Sequence, residues 1–211
     1  MAIDALIFDC DGTLVDSEVL AAQVLVDLLA ERGHALAYDT VLAQYRGREF
    51  AHFVATLCAQ RPGLEADELT QTFRARSLAL FRERLQPIPG ALELVRGLAL
   101  DKCVASNGPR QKIETCLAVT GLLPYFTGRI VSAYEVGAWK PDPRLILHAA
   151  ALLATRPERC LLVEDSLAGV QAGVAAGVRV AALGLDPATL GELAGRVSVI
   201  DGLDAIPALL G

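Results

Sequence analysis

Short apolar runs recur along the chain, and several of them end in a glycine, an asparagine or an acidic residue. The runs lie at residues 5–9, 102–108, 129–132, 160–165, 178–184 and 197–200. Between most of them the apolar positions follow a helical spacing, as at 110–117, 144–153 and 166–176. This alternation predicts an α/β fold with a parallel sheet, and the nearly continuous apolar strands predict helices on both faces of that sheet. We therefore predict a three-layer, Rossmann-like core.

One region of the chain has no strand pattern. Its helical segments lie at residues 19–32, 38–45, 50–60 and 65–85. The α/β alternation returns after QPIPG at 86–90, where two prolines and a glycine are typical of a hinge. We predict an all-helical domain of residues 16–86, inserted into a discontinuous core domain formed by residues 1–15 and 87–211.

Composition and charge narrow the class of protein. The 211 residues are 53% hydrophobic and 21% charged, as in an ordinary soluble globular protein. The net charge is −6, and no run of Lys or Arg could follow a nucleic-acid backbone. The five cysteines have no metal-type spacing and indicate reduced core residues. Since the sequence has no signal-peptide pattern and no apolar stretch of roughly 18 residues, we expect a cytoplasmic monomer without nucleic-acid or membrane partners.

Chemically reactive side chains follow four of the predicted strands. In chain order they are Asp9 and Asp11, Ser106 and Asn107, Lys140, and Glu164 and Asp165. Because ligands of an open parallel sheet bind beyond the carboxyl ends of the strands, we expect these loops to form one site. Four carboxylates in one small space would repel one another unless a cation intervened. Oxygen ligands without nearby His or Cys favour Mg²⁺ as that cation.

The same residues suit phosphoryl transfer. A carboxylate can attack phosphorus to form an aspartyl phosphate, and a second carboxylic acid can protonate the leaving oxygen and later activate water. Since residues i and i+2 of a strand share a face, Asp9 and Asp11 can serve one site. Lys140 can neutralise the charge of the phosphoryl group, while Ser106 and local backbone N–H groups donate hydrogen bonds to its oxygens.

The motifs resemble those of the haloacid dehalogenase (HAD) superfamily, in order and across essentially the whole chain. The matching stretches are DCDGT at 9–13, VASNG at 104–108, KPDP at 140–143 and VEDSLAGVQAG at 163–173. The helical insertion resembles the small C1 cap of the β-phosphoglucomutase-like and 6-phosphogluconate phosphatase-like branch. The resemblance implies that Asp9 is the nucleophile and Asp11 the general acid and base. It also implies Mg²⁺ ligation by Asp9, by the backbone carbonyl of Asp11, by Asp165, and by Glu164 directly or through water.

These observations predict a Mg²⁺-dependent phosphatase of a small phosphorylated metabolite, such as a sugar phosphate or a phosphorylated sugar acid. A β-phosphoglucomutase-type mutase is the alternative, although Ala21 stands where that pattern has a histidine. Asp11 argues against a dehalogenase of the same superfamily. A phosphonate hydrolase of the superfamily would have a lysine in its cap, and this chain has no lysine before residue 102. A non-catalytic metabolite sensor on the same fold is a more remote alternative.

Basic residues near the site are candidates for contact with the substrate. YRGR at 45–48 lies where this branch contacts substrate with its cap loop, and an acidic protein needs local positive charge to bind a phosphate ester. Arg110 and Lys112, at the start of the helix after the second motif, could contact an anionic group of the substrate, but we expect both on a solvated face. The candidate phosphate- and substrate-binding residues are therefore Gly12, Arg46, Arg48, Ser106 and Asn107.

Overall fold

The computed structural model describes residues 2–45 and 50–211. Its six strands form one sheet in the order β3-β2-β1-β4-β5-β6, and each neighbouring pair is parallel. The strands are β1 Ala5–Phe8, β2 Asp101–Ser106, β3 Ile130–Ser132, β4 Cys160–Glu164, β5 Arg179–Leu183 and β6 Ser198–Ile200. All six predicted strands are present, and the predicted α/β, Rossmann-like fold class is confirmed.

Helices connect the strands and also form the region without strands. In the core they are α5 Ala91–Gly97, α6 Arg110–Val119, α7 Ala133–Val136, α8 Arg144–Leu152, α9 Leu167–Ala176 and α10 Pro187–Leu190. Between β1 and α5 lie α1 Ser17–Glu31, α2 Tyr38–Tyr45, α3 Phe50–Gln60 and α4 Ala66–Arg84. We call the segment from α1 to α4 the helical insertion. Its four helices match the four predicted segments to within two residues at each end.

Alternate residues of each strand enter two separate hydrophobic cores. Leu6 and Phe8 of β1 face the core that includes residues of the helical insertion, whereas Ala5 and Ile7 face the core beneath α8 and α9. All four side chains are fully buried, which is why β1 reads as a continuous apolar run. Burial of a Leu, Ile or Phe side chain stabilises a fold by about 1.5–3 kcal/mol. The doubly covered sheet therefore provides a rigid base for the loops at its carboxyl edge.

The helical insertion is joined to the core by two chain segments that run side by side. The Asp16 N–H donates to the Gln86 carbonyl at 3.1 Å, and the Ile88 N–H donates to the Leu14 carbonyl at 2.9 Å. Within the insertion α1 packs against α2 and α4, and α4 also packs against α6 of the core. The longest helix of the insertion thus lies next to the loops that follow β1 and β2.

Two further expectations concern the chain as a whole. All five cysteines are free thiols, and four of them are buried, as predicted. None of the helices within the described residues is both long and apolar enough to cross a membrane.

Candidate active site

A cavity of about 230 Å³ lies between the carboxyl edge of the sheet and α4 of the helical insertion. The order of strands reverses between β1 and β4, which is the point where an open α/β sheet leaves a crevice for ligands. The predicted residues that line the cavity are Asp9, Asp11, Ser106, Asn107, Lys140 and Asp165. The fold therefore brings together side chains that lie up to 156 positions apart in the sequence, as the positions of Asp9 and Asp165 show.

Lys140 is buried between two carboxylates. Its Nζ lies 2.5 Å from Asp9 Oδ1 and 2.7 Å from Glu164 Oε2. Burial disfavours the ammonium, but Asp9 and Glu164 more than offset that effect and raise the pKa of Lys140 above its usual range. Lys140 is therefore a permanent cation at the end of β1, in a position to fix Asp9 and to screen the charge of a phosphoryl group.

Glu164 is fully buried, and both of its oxygens have partners. Oε1 accepts hydrogen bonds from the Ser166 N–H at 3.0 Å and from the Ser166 hydroxyl at 2.7 Å, while Oε2 accepts from Lys140. Ser166 also caps α9, because its Oγ accepts the Gly169 N–H at 3.1 Å. A Cβ on Gly169 would lie 2.0 Å from the Glu164 carboxyl group, so a glycine is required at this position. One serine thus begins the helix and holds the carboxylate that orients Lys140.

Asp165 is held against the loop that follows β1. Thr13 Oγ1 donates a hydrogen bond to Asp165 Oδ1 at 2.8 Å. Gly12 has a φ of +79°, and a Cβ there would lie 2.1 Å from Asp165 Oδ2. The glycine of the DCDGT motif is therefore explained by its backbone conformation and by the close approach of Asp165. Its contact with phosphate stays a prediction.

Asp9, Glu164 and Asp165 form a group that could hold a metal ion. One oxygen from each residue lies within 4.8 Å of the others. Burial raises the pKa of Asp9 to about 7, because Glu164 and Asp11 add to the effect of burial and Lys140 offsets only part of it. Burial and the charges of Glu164 and Asp9 also raise the pKa of Asp165 well above its ordinary value. An all-oxygen donor set with this unrelieved repulsion fits a hard divalent cation such as Mg²⁺.

The Asp11 side chain is not part of that group within the described residues. Ser17, the first residue of α1, donates a short hydrogen bond to Asp11 Oδ1, and Lys112 Nζ lies 2.8 Å from the same oxygen. Burial would raise the pKa of Asp11, but Lys112 and Ser17 lower it below its ordinary value overall. The Asp11 side chain thus lies in the cavity as an ionised carboxylate that can accept a proton. Its predicted ligation of Mg²⁺ through the backbone carbonyl stays a prediction.

The prediction of a solvated face for Lys112 is wrong. Its side chain is 21% exposed and lines the cavity beside Asp11. Arg110, two residues earlier, does point away from the cavity: it pairs with Glu135 and donates to the Ile130 carbonyl at 2.8 Å. The surroundings of the two basic residues differ because α6 directs Lys112 toward the loop after β1 and Arg110 toward β3.

Ser106 and Asn107 play different parts at the end of β2. Ser106 is buried, and its Oγ accepts the Gly108 N–H at 3.0 Å, so its hydroxyl proton can still be donated to a ligand. Asn107 bridges two loops, because its Oδ1 accepts the Lys140 N–H at 2.8 Å and its Nδ2 donates to the Lys140 carbonyl at 3.4 Å. Asn107 therefore positions the loop that carries Lys140.

The helical insertion contributes residues that the motifs did not indicate. Arg46 and Arg48 lie outside the described residues, so their predicted contacts stay predictions. Arg74 lines the cavity and crosses to the core, where its Nη2 donates to the Tyr134 hydroxyl at 2.9 Å and its guanidinium lies 5.6 Å from the Tyr134 ring centroid. Tyr134 in turn packs edge-on against Trp139, with ring centroids 5.4 Å apart.

Ser77 also lines the cavity, one turn after Arg74 on α4. It is 4% exposed, and its hydroxyl has no hydrogen-bond partner among the described residues. The buried residues of α4 are Leu69, Phe73, Ser77 and Phe81, which follow one another at a spacing of four. A single polar residue in such an apolar stripe is the signal that could have identified this position from the sequence.

Comparison with known proteins identifies the family. A model of the haloacid dehalogenase-like hydrolases matches residues 3–177. The chain belongs to this family. The resemblance of the sequence motifs to this family is thus confirmed, in a chain whose fold brings the strand-end carboxylates and Lys140 together.

Several relatives match most or nearly all of the chain. The 6-phosphogluconate phosphatase of Escherichia coli K12 is 34% identical over 208 residues, which cover 98% of this chain and 94% of that protein. Hexitol phosphatase B of the same strain is 31% identical and covers 83% of this chain and 81% of its own. A solved HAD family hydrolase from Deinococcus radiodurans, with bound phosphate and sodium, has a TM-score of 0.80 at 32% identity and covers 99% and 95% of the two chains. The prediction of a HAD-type phosphatase is confirmed.

Proposed function

We propose that this protein is a Mg²⁺-dependent phosphatase of a small phosphorylated metabolite, a sugar phosphate or a phosphorylated sugar acid, and that it acts through an aspartyl phosphate on Asp9. The observation that carries the proposal is the arrangement around Asp9. Its carboxylate lies 2.5 Å from the buried Lys140 ammonium, in a cavity that a second carboxylate, Asp11, also lines. The similarity to a 6-phosphogluconate phosphatase and to a hexitol phosphatase supports the substrate class.

The first step transfers the phosphoryl group to the protein. Lys140 engages Oδ1 of Asp9, which leaves Oδ2 to attack phosphorus. The negative charge of the bound phosphate ester favours the protonated form of the nearby Asp11 carboxyl group. The new Oδ2–P bond forms as the bond from phosphorus to the leaving oxygen breaks, and protonated Asp11 gives its proton to that oxygen. Ser106 and Lys140 donate hydrogen bonds to the phosphoryl oxygens during this transfer.

The second step returns the protein to its starting state. Asp11 now takes a proton from water, and the resulting hydroxide attacks phosphorus and displaces Asp9. Mg²⁺ bound by Asp9, Asp165 and the Asp11 carbonyl, with Glu164 as a direct or water-mediated ligand, would offset the negative charge of the phosphoryl group. Because one residue acts first as an acid and then as a base, Asp11 must stay close to the phosphorus in both steps.

Residues 16–86 are proposed to act as a cap over a core formed by residues 1–15 and 87–211. The α4 helix forms the wall of the cavity opposite the strand ends, and the paired segments 14–16 and 86–88 provide two adjacent crossing points for a hinge. Closure of such a cap would exclude water during the transfer and would allow the cap to contact the leaving group.

A phosphate-release screen tests this function. Purified protein is assayed with phosphorylated hexoses, hexitols and sugar acids, with Mg²⁺ or with EDTA, beside an assay for anomeric mutase activity. We expect Mg²⁺-dependent release of phosphate from members of this set and no interconversion of sugar phosphate isomers. Activity that survives EDTA would contradict the metal assignment, and isomer interconversion without phosphate release would contradict the assignment as a phosphatase.

A further inference from the structure

Lys112 is the second lysine of the cavity, and the HAD motifs do not include it. It is the third residue of α6, and its Nζ lies 2.8 Å from Asp11 Oδ1. The next residues of α6 that face the core, Ile113, Cys116 and Leu117, are fully buried. Lys112 therefore projects from a helix that is firmly anchored to the sheet.

The two donors to Asp11 come from different parts of the molecule. Lys112 belongs to the core, whereas Ser17 is the first residue of the helical insertion. Both donate to Oδ1, so Oδ2 is the oxygen that is left to face a leaving group. If the insertion moves relative to the core, the Ser17 contact must change, but the contact of Lys112 with Asp11 lies within the core and need not.

We propose that Lys112 is a positioning residue that holds Asp11 by one oxygen so that the other oxygen reaches the leaving-group oxygen of the substrate. The inference rests on the proposed function, because it assigns Lys112 a part in that reaction. It differs from a role in substrate recognition, in which the Lys112 ammonium would bind an anionic group of the substrate, such as the carboxylate of a sugar acid. The two roles predict different substrate dependence.

Three phosphate esters separate these roles. Glucitol 6-phosphate and 6-phosphogluconate are both esters of a primary alcohol, but only the second carries a carboxylate. 4-Nitrophenyl phosphate has a leaving group that departs without a proton, so its cleavage does not depend on a correctly placed acid. The quantity compared is kcat/KM, because it reports the steps up to formation of the phosphorylated protein and not its later hydrolysis.

The variants are Lys112→Met, Lys112→Arg and Arg96→Met. The methionine removes the ammonium and keeps the apolar stem, and the arginine keeps a cationic donor. Arg96 is an exposed residue of α5 that does not line the cavity, so Arg96→Met is a matched control for the loss of one positive charge. Thermal unfolding of each variant shows whether the fold is retained.

We expect Lys112→Met to lower kcat/KM by about tenfold or more for both alkyl phosphates, because a general acid contributes about 10²–10⁴-fold to such a reaction. The loss should be the same for glucitol 6-phosphate and for 6-phosphogluconate. For 4-nitrophenyl phosphate we expect a loss of less than about threefold, because an aryl leaving group needs little proton transfer. Lys112→Arg should recover most of the activity, and Arg96→Met should match the wild type.

Provided that the wild-type protein hydrolyses the esters, three results would overturn the inference. An equal loss on all three esters would indicate a purely structural role, a loss confined to 6-phosphogluconate would indicate recognition of the carboxylate, and no loss would remove Lys112 from the reaction. A wild-type protein that releases phosphate from none of the three esters would instead contradict the proposed function, and the inference would fall with it.

Discussion

The two walls of the cavity differ in how completely their polar groups are satisfied. On the strand-end wall, Lys140 pairs with two carboxylates, and one of them, the fully buried Glu164, accepts three hydrogen bonds. On the helical wall, the Ser77 hydroxyl has no partner among the described residues, and the exposed Arg74 reaches across to Tyr134. The strand-end groups are arranged before a ligand binds, whereas the helical wall keeps polar groups that a leaving group could engage.

This difference matches two separate tasks of a phosphatase. Groups that act on the phosphoryl oxygens are most effective when they are preorganised in a buried site. Groups that recognise the rest of the substrate gain selectivity when a correct ligand satisfies them and an incorrect one leaves them unpaired. We therefore propose that the strand-end wall performs the chemistry and that the helical wall selects the leaving group.

The largest effect is expected when the cation of the strand-end wall is removed. Lys140→Met leaves Asp9 and Glu164 buried together, so kcat should fall by about 10³-fold, and the free energy of unfolding should fall by about 3–5 kcal/mol. Lys102→Met is the matched control, because Lys102 lies away from the cavity and its hydrogen bonds within the described part of the chain go to the Leu98 and Leu100 carbonyls. Steady-state kinetics and urea unfolding measure the two effects. A kcat within about tenfold of the wild type would refute the assignment of chemistry to this wall.

A smaller effect is expected where the backbone makes room for Asp165. Gly12 and Gly33 share a φ of +79°, but a Cβ at Gly12 would meet Asp165 Oδ2 at 2.1 Å, whereas one at Gly33 would meet no atom of residues 2–45 or 50–211 within 4 Å. Gly33→Ala should cost about 1–2 kcal/mol of stability from the left-handed backbone alone. Gly12→Ala should cost about 1–3 kcal/mol more from the clash.

The activities of the same two variants sharpen the test. Displacement of Asp165 in Gly12→Ala should lower kcat by about 10²-fold, whereas Gly33→Ala should keep wild-type kcat. Urea unfolding and phosphate release, measured on both proteins, give the comparison. If the two alanine variants lose equal stability and equal activity, the close approach of Asp165 has no functional importance.

The smallest effect is expected on the helical wall. Because the Ser77 hydroxyl makes no hydrogen bond in the described structure, Ser77→Ala should change the free energy of unfolding by less than about 0.5 kcal/mol. A hydrogen bond from Ser77 to a substrate hydroxyl is worth about 0.5–1.5 kcal/mol, so KM for glucitol 6-phosphate should rise about threefold to tenfold. KM for 4-nitrophenyl phosphate, which lacks such hydroxyls, should not change. Equal KM values for wild type and variant on both esters would assign Ser77 to packing alone.

The two walls also differ in how far the sequence predicts them. The strand-end residues could be identified because each follows an apolar run, and parallel strands bring their carboxyl ends to one edge. The sequence also predicts Asn107 at this edge. Its hydrogen bonds to the Lys140 backbone depend on how the loop after β2 packs against the loop that carries Lys140. The prediction of a solvated face for Lys112 is wrong because only the packing of α6 against the β1 loop shows that Lys112, and not Arg110, enters the cavity.

The helical wall could be predicted only in part. The helical spacing located α4 to within one residue at each end, since an apolar stripe fixes the existence of a helix. Which turn of α4 lies over the strand ends depends on the packing of α4 against α1 and α6, and no local pattern encodes that. The apolar stripe of α4 marks Ser77 as an unusual polar position, but only the three-dimensional structure shows that Ser77 and Arg74 line the cavity.

The central claim, that Asp9 becomes phosphorylated during turnover, can be tested by a quench experiment. Protein is mixed with a radiolabelled phosphate ester that the wild type hydrolyses, denatured in acid within the first turnovers, and digested to map the label. We expect an acid-stable label, released by hydroxylamine, on the peptide that contains Asp9, in the wild type and in Arg96→Met but not in Asp9→Asn. A label of undiminished amount in Asp9→Asn, or one that maps to another residue, would contradict the account.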